Sequence, residues 1–150
     1  MSFKPKWFVI HNTGGTDHVY QDANNIKRIL QVERKLGGYH EFYEDVDGGF
    51  WMSELNRLDM KAEHVAQHNS EAVGFAFVGD FNLVPPHPQM LKEAAPHIAG
   101  LLRRFDLTPA DMIAHRDVPD NDTDCPGKAF TPALFEKFRT LVAEQFKVAS

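Results

Sequence analysis

The chain has 150 residues, 43% hydrophobic and 25% charged, with a formal net charge of −5. Such a length and balance fit one globular domain with its own core, and the negative charge excludes a general basic field that would draw nucleic acid. A single cysteine, Cys125, excludes an internal disulfide, and no stretch reaches the roughly 20 apolar residues of a membrane-spanning helix.

Residues 1–6 lead into only four apolar positions, 7–10, before His11. That run is too short for the apolar stretch of an export signal, so the expectation is a chain made in the cytoplasm. The same four residues suit a buried strand. Over 22–36, Ile26, Ile29, Leu30, Glu33 and Leu36 recur at helical spacing, and Gly37 stands where a helix C-cap is wanted. Residues 39–44 read as a strand, followed by a turn at Asp47-Gly48-Gly49 and a short strand over 50–52.

The strongest strand pattern is 72–78, where Val73, Phe75, Phe77 and Val78 crowd as in a central strand buried on both faces. Val84-Pro85-Pro86-His87-Pro88 is too short to link separate domains and reads as a surface turn. Apolar groups at Leu91, Ala95, Ile98, Leu102 and Phe105 predict a helix over 89–105, which Pro96 should kink or interrupt. Thr108-Pro109-Ala110-Asp111 is a capping turn leading to a short strand over 112–114. Thr131-Pro132 opens a last helix over 131–146, with Leu134, Phe135, Phe138, Leu141 and Val142 along one side. The alternation predicts a single α/β domain over 1–150, a mixed central β-sheet flanked by about three α-helices.

Three residues carry candidate chemistry. His11 ends the first strand, His115 ends the short strand at 112–114, and Cys125 follows in a loop dense in Asp, Asn, Pro and Gly. Strand ends facing loops are where open sheets commonly place their sites. Two imidazoles and a thiolate supply three ligands for tetrahedral zinc and leave the fourth position for water, the composition of a catalytic site.

Eight histidines offer many such triples, and other readings stay open on the residues alone. Cys125 could be a small buried apolar side chain, His11 a strand cap, and His115 a partner of Asp117 across the turn. His64 and His68, four apart, would share one helix face in the manner of zinc proteases. The glutamate of that pattern is missing, since Glu63 precedes His64 and none directly follows it, and Asn69-Ser70 suggests a turn. His18, His87 and His97 carry no motif and are expected at solvated surface positions. Trp51 is expected to pack under the sheet, with stacking on sugar as the alternative.

Four segments occur in order: Phe8-Val9-Ile10-His11-Asn12-Thr13, then Gly38-Tyr39-His40-Glu41-Phe42, then 64–69 running into Val73-Gly74-Phe75-Ala76-Phe77-Val78-Gly79, and last His115-Arg116-Asp117 followed by Thr123-Asp124-Cys125-Pro126-Gly127. Together they resemble the N-acetylmuramoyl-L-alanine amidase type 2 family, which includes T7-type phage lysozymes and peptidoglycan recognition proteins. The resemblance spans about residues 7–130, with 131–146 as a packing helix.

That resemblance implies one Zn2+ per chain, held by His11, His115 and Cys125. It implies a catalytic tyrosine at Tyr39, with His40 pointing to the opposite strand face. Thr123 matches a second catalytic position, where T7-type members carry lysine; it donates a hydrogen bond but brings no positive charge. Lys128, three residues after Cys125, does not match that position. His64 and Asn69 match positions beside the cleft and are implied substrate contacts, with a structural role equally open for His64. Asp117 is expected to support His115 or Arg116.

The implied activity is hydrolysis of the amide between the muramic acid lactyl group and L-Ala of peptidoglycan. The expected setting is a monomeric phage-type endolysin, without membrane insertion, that reaches the wall after the membrane is breached. A cytoplasmic amidase recycling muropeptides and a non-catalytic peptidoglycan-binding module are the alternatives. Loss of the cysteine ligand often accompanies loss of activity in such modules, and Cys125 is present.

Overall fold

The computed structural model describes residues 3–13, 39–46 and 49–148. Five strands form one sheet: β1 Trp7–Asn12, β2 Glu41–Val46, β3 Gly49–Glu54, β4 Ala72–Phe77 and β5 Met112–Ala114. Their order across the sheet is β3-β2-β4-β1-β5. β1 runs parallel to β4 and β5, β2 runs parallel to β4, and β2 and β3 are antiparallel. The sheet is therefore mixed, with the 72–78 segment central as its pattern predicts. Two helices follow, α1 Pro88–Arg104 and α2 Pro132–Val148. The helix expected over 22–36, His18 and the turn at 47–48 lie outside the described residues, as does the side chain of Trp51.

β4 explains why one sheet carries two different surfaces. Successive side chains point to opposite faces, and here they alternate large and small: Val73, Phe75 and Phe77 against Ala72, Gly74 and Ala76. The large set joins Phe8, Ile10, Met112 and Ala114 in a core closed by Leu91, Ile98 and Leu102 of α1 and Phe135 and Phe138 of α2. Each fully buried side chain of this size contributes about 1.5–3 kcal/mol through apolar area removed from water. The small set leaves a shallower opposite face, where Val9, Val65, Ala72 and Val118 cluster, and Phe42, Leu55 and Ala76 form another group.

The same alternation sends Phe8 and Ile10 of β1 toward the helices and Val9 and His11 to the opposite face. β1 and β5 pair with Ile10 beside Ala114. One residue further along both strands brings His11 alongside His115.

α1 continues through Pro96, so of the expected kink or interruption the interruption does not occur. Pro96 is on the exposed side, and so is Lys92, whose carbonyl loses its intrahelical partner; water can satisfy that oxygen, so the helix continues. His87 is exposed as expected and also caps α1, its Nδ1 accepting from the Gln89 amide at 3.0 Å. α2 begins where Thr131-Pro132 predicts, with the Thr131 hydroxyl accepting from the Leu134 amide at 3.1 Å. His97 departs from its expected solvated place. Its Nε2 meets Glu41 Oε1 at 2.6 Å, covering a carboxylate side chain that is only 3% exposed. The pleat turns Glu41 toward α1, and a buried acid needs a partner.

Among the described residues no helix is long and apolar enough to cross a membrane.

Candidate metal centre

His11, on β1, is 1% exposed, and His115 opens a 3₁₀ turn, His115–Asp117, directly after β5. Cys125 returns to them from the following loop. The Arg116 amide donates to Cys125 O at 2.8 Å, and the Arg116 guanidinium donates to Gly127 O at 2.9 Å and Phe130 O at 2.6 Å. These bonds fold the loop back against the end of β1. One ligand atom from each of His11, His115 and Cys125 lies within 4.8 Å of the other two.

Cys125 Sγ stands 3.7 Å from His11 Nδ1. Two ligands of a tetrahedral zinc are about 3.3–3.8 Å apart, given bonds near 2.0–2.3 Å. The donor set fits that ion, and so does the spacing of Cys125 Sγ and His11 Nδ1.

Burial sets the protonation states. It holds His11 well below the ordinary imidazole value, with the neighbouring rings of His64, His115 and His40 adding to the shift. His115 is lowered by burial as well. Both rings are neutral near pH 7, and each keeps one nitrogen lone pair. Burial pushes the Cys125 thiol up to about 12, opposed by the Asn12 amide and by the charge of Arg116. That amide donates to Sγ at 3.3 Å. A thiol at such a value keeps its proton at neutral pH until a metal displaces it.

Tyr39 lies beside the donors. Its ring centre is 4.9 Å from that of His11, and its hydroxyl donates to Asn12 O at 3.3 Å. β2 starts at Glu41 rather than at 39, and the Tyr39 carbonyl accepts from Asn56 Nδ2 at 2.8 Å. His40 diverges from Tyr39: it is fully buried and stacks on Phe3 at 5.4 Å. Thr123 Oγ1 accepts from the Cys125 amide at 3.1 Å, an arrangement that leaves the hydroxyl proton for donation.

His64 and His68 do not share a helix face. Residues 61–65 are irregular and 66–68 form a turn, with Gln67 at φ 66°. The two rings go different ways. His64 lies between His11 Nε2 and Ala72 O, at 2.9 Å from each. His68 lies between Glu71 Oε1 at 2.7 Å and Asp120 Oδ2 at 3.0 Å. Asn69 organises the turn, its Oδ1 accepting from the His64 and Val65 amides at 2.8 and 2.9 Å.

His115 is held by Asn121 Oδ1 at 2.8 Å rather than by Asp117, and Arg116 reaches the two carbonyls already named. Nothing in the sequence separates Asn121 from the acids around it.

Two expected outcomes arise here. A Cβ on Gly74 would stand 2.7 Å from Cγ and Nδ1 of His64, so Gly74→Ala should lower stability in urea by about 1–3 kcal/mol through overpacking. Gly100→Ala, where a Cβ meets nothing within 4 Å, should raise it by about 0.5–1 kcal/mol. Equal stabilities for the two variants would refute the close fit.

The second outcome concerns His68, which is raised above its ordinary 6.5 by hydrogen bonds to Glu71 and then Asp120. A raised folded-state value gives stability that is complete below 6.5 and fades as pH climbs through that raised value. The melting temperature should fall across this window, and the fall should flatten in His68→Gln. Superimposable profiles would count against the clasp.

An α/β sheet with two histidines and a cysteine gathered at the C-terminal ends of parallel strands defines the class of this protein. The model of the N-acetylmuramoyl-L-alanine amidase family matches residues 2–128, and the chain belongs to that family. Among solved structures, N-acetylmuramoyl-L-alanine amidase LysC from Clostridium intestinale URNW is 25% identical, with a TM-score of 0.71 over 92% of this chain and 85% of that one. Drosophila PGRP-LB shares the fold at 24% identity, with a TM-score of 0.68 over 93% of this chain and 82% of that one. A peptidoglycan-recognition protein of Drosophila simulans is 29% identical over 94 residues, 62% of this chain and 45% of its own. The chain spans less than half the length of the curated relatives it matches.

Proposed function

We propose that this chain is a zinc-dependent N-acetylmuramoyl-L-alanine amidase, hydrolysing the amide between the muramic acid lactyl group and L-Ala in peptidoglycan. The observation that carries the reading is the meeting of the His11, His115 and Cys125 donors within 4.8 Å, in a chain of the amidase family. Those three residues would hold one zinc ion, which supplies Lewis-acid polarisation of an amide carbonyl and a water made acidic near neutral pH.

The chain's own groups do the rest. The Tyr39 phenol, beside His11, exchanges its long 3.3 Å bond to Asn12 O for one that orients the attacking water or reaches the oxygen that gains charge as the amide carbon becomes tetrahedral. The Thr123 hydroxyl, its oxygen anchored by the Cys125 amide, donates to the same oxygen without bringing a charge. Donors fixed in advance at a buried site act in a low effective dielectric, where each hydrogen bond to developing charge is strengthened. Both ring nitrogens of His64 are engaged, with His11 and Ala72 O, and Asn69 Oδ1 accepts from the turn's amides, which supports a structural role for His64 and Asn69 behind the ligands.

Digestion of purified peptidoglycan with mass analysis of the fragments tests this. New L-Ala amino termini are expected, abolished by a zinc chelator and restored by added zinc. New reducing sugar ends would replace the reading with a glycosidase, and binding without cleavage would replace it with a recognition module. Intact sacculi cut in preference to soluble anhydro-muropeptides would mark the lytic, endolysin role we carry for it; the reverse preference would mark recycling.

A further inference from the structure

We propose that His64 and Asn121 are positioning residues that make His11 and His115 both present Nδ1 to a common metal, by holding each ring's Nε2 as a hydrogen-bond donor. The proposal rests on the metal reading of the site, and it concerns which ring nitrogen carries the proton before any metal arrives.

The argument starts at a backbone oxygen. Ala72 O can only accept, so its bond at 2.9 Å requires a proton on His64 Nε2. Neither His11 nor Ala72 O, the partners of the His64 ring, is a carboxylate, so nothing there holds a second proton, and Nδ1 has none. His64 Nδ1 is then an acceptor, and the bond to His11 at 2.9 Å requires the proton on His11 Nε2. His11 is buried with a histidine and a thiol as its ring partners, so Nε2 carries its one proton and the lone pair lies on Nδ1, the atom that faces Cys125 Sγ at 3.7 Å. One carbonyl on β4 thus dictates the donor atom of a residue on β1.

The second histidine is fixed independently. Asn121 Nδ2 donates to Ala66 O at 3.0 Å and to Pro119 O at 2.9 Å. Its Oδ1 accepts from the Ala66 amide at 2.9 Å. A flipped side-chain amide would set oxygen against two carbonyls and NH2 against an N–H, so the orientation is determined. The same Oδ1 meets His115 Nε2 at 2.8 Å. That nitrogen must therefore be the donor, and the lone pair of His115 also lies on Nδ1.

Space has been made for this relay. The His64 ring lies over Gly74, where a Cβ would come within 2.7 Å of it. The turn that carries His64 is locked by Asn69 and tied to the loop of Asn121 through the Ala66 bonds. Partners of this kind raise ligand basicity and spare the ion the work of selecting a tautomer.

Ring-nitrogen and ring-carbon NMR shifts of the metal-free wild-type chain give the direct test, since they report the tautomer of each histidine without any activity measurement. His11, His64 and His115 should all be Nε2–H forms. Zinc affinity by chelator competition supplies the second arm, on His64→Phe and Asn121→Leu, which keep bulk but lose the acceptor. Each should bind zinc about 10–100-fold more weakly, and in Asn121→Leu the His115 ring should become a mixture of tautomers.

Nδ1–H rings in a wild-type chain that binds zinc would overturn this proposal alone. Nε2–H rings in a chain that takes up no zinc would overturn the metal reading and this proposal with it. Wild-type zinc affinity in both variants would overturn it too. Should a variant fail to fold, the wild-type spectra still decide.

Discussion

Cys125→Ala and His115→Ala should each retain less than about a tenth of the zinc held by the wild-type chain and lose at least about 10³-fold in amide hydrolysis, several kcal/mol of Lewis-acid stabilisation. Each substitution takes one of three donors from a cluster in which every donor atom is within 4.8 Å of the others. Two protein ligands do not close a tetrahedral site against water. Metal-free Cys125→Ala should nonetheless melt close to the metal-free wild type, because the thiol gives up only sulfur hydrogen bonds, from the Asn12 amide at 3.3 Å and with His11 Nδ1 and Asn12 O at 3.7 and 3.9 Å. Zinc content by a colorimetric chelator and release of L-Ala amino termini check the two halves separately. Full activity in a zinc-free Cys125→Ala chain would sink the assignment.

Tyr39→Phe should lower kcat by about 10²–10³-fold, the usual effect of removing one donor to a developing oxyanion. Zinc content should stay at the wild-type level, since the phenol is not among the donors and the ring contact with His11 at 4.9 Å survives. KM should change little, because the lost bond is one strengthened in the transition state rather than in the bound substrate. A raised KM with unchanged kcat would make Tyr39 a substrate contact instead.

The sheet was legible at β4, where Val73, Phe75, Phe77 and Val78 crowd as in a strand covered on both faces. The alternation with Ala72, Gly74 and Ala76, and the same two-residue rhythm that turns His11 away from the helices, sorted the faces only in the folded chain. The capping turn at Thr108 and the start of α2 at Thr131 were also readable, because local hydrogen bonds decide them. What joins β1 to β5 is not local. No spacing rule announces that His11 will stand beside His115, so the pairing came from family likeness rather than from periodicity.

Two alternatives raised by the sequence were decided by physical causes. His64 and His68 have helical spacing, yet a left-handed Gln67 between them breaks the helix and sends the rings apart. Pro96, expected to kink or interrupt α1, does not interrupt it, because it faces water, where a carbonyl without a helical partner is solvated. Asn121 and Gly74 escaped notice for a third reason. Their importance lies in contacts with residues far away in the chain, one to the turn at Ala66 and the other beneath the His64 ring.

His11 and Cys125 are separated by 114 positions in the chain. In an unfolded chain, gathering donors across such a span costs more loop-closure entropy than in a short metal-nucleated finger. Parallel pairing of the strands must therefore build the seat before an ion can settle in it. Zinc would be a late guest, favouring the finished fold by mass action, about 2.7 kcal/mol at a hundredfold excess over its Kd, and leaving the rate of folding nearly untouched.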